Sequence, residues 1–274
     1  MKKVAAIHDM SGFGRCSLTV AIPVISAMGA QCCPIPTAYL STHTGGFTGY
    51  TLKDLTSEIV PVSDHWASLG LTFDAVYSGF LASADQIGMV RDFINRFRTA
   101  SSIAMVDPVM GDKGVPYSIY TEEMCSGMTV LAEAADIITP NFTEAAILLG
   151  EKYEDAPKDR EGVEKWLLRL SGDGKRSVVL TGIESGNDKI GASCLDIGTG
   201  EINHILSDRV CGEFHGTGDL FSSVLLGSML RGNSLRYACR DAVEFVRDCA
   251  ELARSENGPS REGVPFEALL KKLV

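Results

Sequence analysis

Four residues near the end of the chain, Gly216-Thr217-Gly218-Asp219, run directly into an apolar, helix-forming stretch, Leu220 to Leu230. The two glycines allow a sharp turn with backbone N–H groups facing inward, and the start of a helix adds partial positive charge. Such a turn is a seat for an anion, a phosphate among them. Asp219 stands at its edge, where a carboxylate can accept the proton of an attacking hydroxyl. A phosphate seat beside a base is what phosphoryl transfer to an alcohol requires. The same residues also suit a structural role, in which the Asp219 carboxylate caps its helix.

Further polar residues follow apolar runs of strand length. Val106 is followed by Asp107-Pro108-Val109-Met110-Gly111-Asp112, and Ile138 by Thr139-Pro140-Asn141 with Glu144 three residues on. Leu180 is followed by Thr181-Gly182, and Ile7 by His8-Asp9-Met10-Ser11. In open α/β sheets ligands bind beyond the carboxyl ends of the strands, so these residues would share one side of a sheet. Asp107, Asp112 and Glu144 would bring three carboxylates to one rim, where unpaired charges repel and a cation is the natural partner. Oxygen donors alone favour magnesium bridging nucleotide phosphates. Each position also has a structural alternative. Asn141 and Glu144 are spaced as a capping box, Asp107-Pro108 as a turn, and Asp9 and Ser11 as helix caps. No Gly-x-x-x-x-Gly-Lys-Ser/Thr loop exists; Gly172-Asp173-Gly174-Lys175-Arg176 lacks its spacing and its hydroxyl. Protein-kinase loops are absent too.

The elements that must position these residues are strands alternating with helices. Strand signals lie at Val4–Ile7, Cys32–Thr37, Ala75–Gly79, Ile103–Val106, Asp136–Ile138 and Ser177–Leu180. Helical periods lie between them at Ser17–Met28, Leu52–Leu69, Asp85–Arg98, Glu122–Ala134, Phe142–Leu149 and Gly162–Leu170. This alternation predicts a mostly parallel sheet covered on both faces. Ile190–Leu195 and Glu201–Leu206 read as an appended antiparallel hairpin. Beyond Asp219 the pattern is helical, through Leu235–Arg254 and again near Phe266–Leu273. With no repeat and no Pro-, Gly- or Ser-rich linker, residues 1–274 read as one domain.

Composition narrows the partners. At 45% hydrophobic and 22% charged residues the chain has an ordinary globular balance. A formal net charge of -10 argues against a nucleic-acid backbone binder, which needs basic patches, but leaves small anionic ligands open. No apolar run is long enough for a signal peptide or a membrane span, so a cytoplasmic protein is expected. The eight cysteines form no Cys-x-x-Cys pair and read as reduced thiols, and the scattered histidines suggest no metal site.

Asp107-Pro108-Val109-Met110-Gly111-Asp112-Lys113, Ala135-Asp136-Ile137-Ile138-Thr139-Pro140-Asn141 and Gly216-Thr217-Gly218-Asp219 resemble, in order and spacing, the motifs of the pyridoxal kinases within the ribokinase superfamily. Ser41-Thr42-His43-Thr44-Gly45 resembles their His-Thr-Gly substrate segment, and the likeness spans about residues 4 to 230. It implies a three-layer α/β/α sandwich without the separate lid domain of the sugar kinases. It also implies ATP-dependent phosphorylation of the 5'-hydroxymethyl of pyridoxal, pyridoxamine or pyridoxine, in salvage of pyridoxal 5'-phosphate by a homodimer. Asp219 then corresponds to the base, with Gly216 and Gly218 offering N–H groups to the transferring phosphate. Ser11 and Thr44 correspond to contacts with the substrate's polar substituents, and Phe80 to an aromatic against the pyridine face. Asp107, Asp112, Asn141, Thr181 and the Gly216-Thr217-Gly218 turn fall where the family binds ATP. Asp107, Thr139 and Glu144 fall where it holds Mg2+, with K+ or Na+ as a further ion. Two departures touch the substrate pocket and bear on vitamer preference: Gly12-Phe13-Gly14-Arg15 follows Ser11, and Gly45-Gly46-Phe47 follows Thr44. A branch that phosphorylates hydroxymethylpyrimidine carries cysteine where this chain has Asp112, so that activity is the alternative. A non-catalytic pyridoxal-binding protein is the more distant one.

Overall fold

Among the described residues eleven strands form in chain order: β1 (Lys2–Ser11), β2 (Ala30–Leu40), β3 (Leu52–Asp54), β4 (Ala75–Ser78), β5 (Ile103–Val106), β6 (Gly111–Asp112), β7 (Val115–Pro116), β8 (Ile137–Ile138), β9 (Ser177–Ser185), β10 (Lys189–Asp196) and β11 (Glu201–Asp208). Eight helices join them: α1 (Ser17–Ala27), α2 (Thr56–Ser68), α3 (Ala84–Phe97), α4 (Glu122–Glu133), α5 (Phe142–Leu149), α6 (Arg160–Leu170), α7 (Thr217–Leu230) and α8 (Leu235–Glu256). The computed structural model describes residues 1–186 and 188–274. No helix among them is long and apolar enough to cross a membrane.

Nine strands make one sheet in the order β11-β10-β9-β8-β5-β4-β1-β2-β3. The inner run from β9 to β2 is parallel, and β10, β11 and β3 join antiparallel at the edges. Alternation along each strand sends side chains to opposite faces. Ala5, Ile7, Val76 and Val106 pack with Phe93, Leu131 and Leu167 on the side of α2 to α6. Val4, Tyr77 and Met105 pack with Val24, Val224 and Phe245 on the side of α1, α7 and α8. The result is the mostly parallel sheet covered on both faces that the alternating pattern predicts, in the three layers that the resemblance implies. Its packing is tight at positions such as Phe93, 1% exposed, where truncation to alanine would cost about 3–5 kcal/mol.

β1 lies between β2 and β4, so the strand order reverses there and a crevice opens beyond their carboxyl ends. Asp107 and Thr139 follow the neighbouring strands β5 and β8 on the same edge.

Four segments differ from the sequence reading, the first being β9, which runs on past Leu180 to Ser185 against β10. Leu52–Leu69 is not one helix: Leu52–Asp54 pairs with β2, and α2 starts only at Thr56. Sheet pairing overrides helical periodicity, and the Asp54 carboxylate accepts the Thr56 N–H at 2.6 Å to turn the chain. β1 does not stop at Ile7, because after a shift at His8/Met10 the longer β2 supplies partners as far as Ser11↔Leu40. The stretch near Phe266–Leu273 is 3-10 rather than α-helical over Glu267–Lys272, closed by i→i+3 bonds such as Leu269 N–H to the Phe266 carbonyl.

Candidate active site

Gly216 has φ +73, a backbone conformation that glycine adopts without strain, and it stands at the start of α7. It also packs against the first crossover: a Cβ there would lie 1.9 Å from the Arg15 carbonyl oxygen. Gly218 is the opposite case, with nothing within 4 Å of the place its Cβ would take. No side chain caps α7, so its first-turn N–H groups have neither intrahelical partners nor a cap. A tight glycine fixes the turn while an open one leaves room beside those donors.

Asp219 does not cap its own helix. Its Oδ2 accepts the backbone N–H of Ser17, the first residue of α1, at 2.8 Å. The residue keeps some solvent exposure, yet its carboxyl is enclosed. Desolvation, opposed by the Ser17 N–H and reinforced by the charges of Asp107 and Asp9, pushes its pKa up to about 7. A base poised there is half ionised at neutral pH.

Facing it, Asp107 is 6% exposed and Thr139 3% exposed, and the Ser222 hydroxyl on α7 lies within hydrogen-bond distance of both. Burial pushes the Asp107 carboxyl up to about 7, against the pull of the Thr139 and Ser222 hydroxyls. Glu144 is buried beside it. Its two oxygens accept the N–H groups of Met110 at 3.2 Å and Asn141 at 2.8 Å. Desolvation and then the charge of Asp107 hold its carboxyl well above the usual range. The Tyr117 phenol, raised first by burial, is raised further by Glu144, Asp112, Asp219 and Asp107, so these four carboxylates face one region.

Of the three carboxylates expected at the rim, Asp107 and Glu144 are buried. Asp112 is exposed on the small β6–β7 hairpin, its carboxylate accepting the Lys113 N–H at 2.9 Å. Among the described residues no three His, Cys, Asp or Glu side chains converge to hold an ion by themselves. The Asp107–Glu144 pair still suits a hard cation. Two buried, mutually repelling carboxyls with the Thr139 hydroxyl nearby offer oxygen donors and gain by neutralisation.

Asn141 caps α5 as the spacing suggests, its Oδ1 accepting from Thr143 and Glu144, while its Nδ2 donates to the Gly111 carbonyl at 2.9 Å. It thereby ties the hairpin to the helix. Thr181 sits inside β9, where its N–H donates to the Pro140 carbonyl at 2.9 Å and its hydroxyl to the same oxygen. Ser11 is fully buried and donates to Asp9 Oδ2 at 3.0 Å. Thr44 is partly exposed in the loop after β2. Phe80 is 8% exposed and edge-on to Tyr120, with ring centroids 6.1 Å apart, so most of its ring belongs to the core.

Sequence reasoning missed Ser222 and gave Asp9 only a capping role. Ser222 lies three residues after Asp219, one turn along α7, and that spacing alone would have put both on one face. Nothing local signals that Asp9 reaches the charge field of Asp219.

All eight cysteines are free thiols.

Residues 20–262 match the model of the family described as phosphomethylpyrimidine kinase. A Bacteroides thetaiotaomicron protein, provisionally assigned as a phosphomethylpyrimidine kinase and crystallised with pyridoxal, is 39% identical with a TM-score of 0.93, over 99% of this chain and 95% of that one. The pyridoxal kinase of Lactobacillus plantarum is 29% identical with a TM-score of 0.91, over 100% of this chain and 96% of its own. The pyridoxal kinase PdxY of Actinobacillus pleuropneumoniae is 29% identical over 268 residues, 92% of this chain and 89% of that protein.

Proposed function

Since this chain belongs to the phosphomethylpyrimidine kinase family, we propose that it transfers the γ-phosphoryl group of ATP to the 5'-hydroxymethyl of pyridoxal, pyridoxamine or pyridoxine. The observation that carries the reading is the pairing of Asp219 with the uncapped, glycine-opened start of α7, across from the buried Asp107 and Glu144. Pyridoxal in the crystal of the 39% identical relative supports the acceptor, as do the pyridoxal kinases among the other relatives. Asp112, in place of the cysteine of the pyrimidine branch, argues the same way.

In this mechanism the acceptor alcohol lies against Asp219, with Ser11 and Thr44 contacting its ring substituents and Phe80 supporting the ring by its rim. Ionised Asp219 takes the hydroxyl proton as the alcohol oxygen attacks phosphorus. The Ser17 N–H keeps the receiving carboxylate oriented. The α7 N–H groups at Gly216, Thr217 and Gly218 take up charge on the migrating phosphoryl group, which is the dominant contribution in reactions of this kind. Asp107, Asp112, Asn141 and Thr181 line the nucleotide side. Asp107, Glu144 and Thr139 would hold Mg2+, partly through water, with K+ or Na+ as a neighbouring ion. Bound magnesium supplies neutralising charge to the nucleotide phosphates. The reading includes a cytoplasmic homodimer of one-domain subunits.

The test is to supply ATP and magnesium with each of the three vitamers and with hydroxymethylpyrimidine, reading ADP release and product mass. Vitamers gaining one phosphate bear the proposal out. Product from hydroxymethylpyrimidine alone transfers the chain to the alternative, and binding of pyridoxal without ADP release makes it a binding protein.

A further inference from the structure

Three segments far apart in sequence meet outside the acceptor pocket: the residues after β1 (Gly12–Cys16), the loop after β2 (Ser41–Thr51) and the turn Pro259–Gly263 beyond α8. The mechanism uses Thr44 of the second and the residues that flank the first, Ser11 and Ser17, and leaves the third without a role. His43 joins them. Its Nδ1 accepts the Gly45 N–H at 3.1 Å, which leaves the proton on Nε2 to be donated to the Arg261 carbonyl at 2.6 Å. Both ring nitrogens are engaged, so the ring has one orientation. Gly14 lies so close that a Cβ would be 2.4 Å from His43 Cδ2.

The same turn grips the neighbouring residues. The Arg261 guanidinium lies 5.1 Å from the centroid of Phe47, in cation–π range, and Phe47 meets His43 edge-on at 5.0 Å. The Arg15 N–H donates to the Glu262 carbonyl at 3.0 Å. Gly263 has φ +81, and a Cβ there would lie 2.8 Å from the Arg15 carbonyl oxygen. Beyond the turn, Arg15 Nε reaches both oxygens of Glu267, at 2.7 and 2.9 Å. Since Gly216 packs on that same Arg15 carbonyl, the turn also backs the phosphate seat.

We propose that the turn Pro259–Gly263, held by the Arg15–Glu267 ion pair, is a latch that positions the acceptor half of the site. This rests on the kinase reading above, with Thr44 between His43 and Gly45 as an acceptor contact. The nucleotide half is tied separately, through Asn141 to the Gly111 carbonyl and through Ser222 to Asp107 and Thr139. Releasing the latch therefore weakens acceptor binding more than nucleotide binding, which the turn reaches only through the Arg15 carbonyl behind Gly216. Residues 259–263 and Glu267 are positioning residues that act through His43, Phe47 and Arg15.

Glu267→Ala and Gly263→Ala in the full-length protein test the proposal, with amide hydrogen exchange over residues 41–50 and separate KM values for acceptor and ATP. Glu267→Ala should speed exchange over 41–50 and raise acceptor KM roughly two- to fivefold, the scale of a partly exposed ion pair, with a smaller rise in the ATP KM. Gly263→Ala should do more, because it forces the backbone off Arg15. The charge-exchanged double variant Arg15→Glu/Glu267→Arg should recover part of the protection. Unchanged exchange over 41–50 in Glu267→Ala, or an equal rise in both KM values, overturns the latch; this holds even if Gly263→Ala fails to fold. The exchange readout needs no substrate, so failure of the kinase reading would be seen separately, as absence of product from the wild type.

Discussion

The Ser17 backbone N–H donates to Asp219 Oδ2 at 2.8 Å, so the first residue of one helix grips a carboxylate in the first turn of another. Ser17 adopts φ +49, in the left-handed region, to aim that N–H. Such a conformation costs a serine roughly 1–2 kcal/mol, and it persists because α1 and α7 are packed together. Asp219 is thereby withdrawn from capping α7 and held where its proton affinity is set by burial.

That setting predicts the pH dependence. Asp219 must be ionised to accept a proton, and its pKa lies at about 7. Turnover should therefore rise as pH increases through about 7 and level off above it. Asp9 raises the Asp219 pKa, so Asp9→Asn should move this limb to lower pH. Steady-state rates from pH 5.5 to 9, a span taken from the reference carboxylate range and the shifted value, check both statements. An inflection that stays put in Asp9→Asn would remove that coupling.

The two glycines of the turn should separate under substitution. Gly216→Ala sets a Cβ 1.9 Å from the Arg15 carbonyl at φ +73, so it should destabilise the fold by about 1–3 kcal/mol or more. Gly218→Ala meets nothing within 4 Å and should melt within about 0.5 kcal/mol of the wild type. Its turnover should nevertheless fall, because the open space beside it is where the phosphoryl group must approach. Thermal melts alongside kinetics distinguish the pair, and full activity in Gly218→Ala would move the phosphate elsewhere.

Asp107 and Glu144 should respond to neutralisation in opposite directions. Asp107 is held by rotatable hydroxyls, which can serve an asparagine equally well. Its folded pKa is raised from 3.8 to about 7, so protonation stabilises the fold fully below about pH 4 and that contribution is lost as pH climbs through 7. Asp107→Asn should therefore raise Tm at pH 8, do little at pH 4, and lose its advantage when magnesium is added to both proteins. Glu144 instead accepts two fixed backbone N–H groups on its two oxygens, and a glutamine would leave one facing an amide NH2. Glu144→Gln should cost about 1–3 kcal/mol and weaken the magnesium dependence of turnover. Calorimetry at both pH values, with and without magnesium, reads the contrast.

Local signals in the sequence were enough for the ends of β5 and β8 and for the Gly216 turn. Apolar runs bounded by Asp107, Thr139 and Asp219 leave few other arrangements once the sheet is parallel. The spacing of Asn141 and Glu144 was legible as a capping box, and the fold uses it so while also burying Glu144 beside Asp107. The structural and functional readings of that pair are therefore compatible. What could not be read locally depends on closure over long separations. Ser17 lies 202 residues from Asp219, and His43 lies 218 residues from Arg261. The small two-stranded hairpin that carries Asp112 was not legible either, because its register depends on packing against α5.

The decisive measurement is the turnover of Asp219→Asn, with nucleotide and pyridoxal binding measured by calorimetry on the same preparation. Asparagine can still accept the Ser17 N–H, so the fold and both affinities should survive while turnover drops roughly 10²–10⁴-fold, the usual range for loss of a general base. Turnover within a few-fold of the wild type, with binding intact, would mean that the carboxylate held by Ser17 is not the group that receives the alcohol's proton.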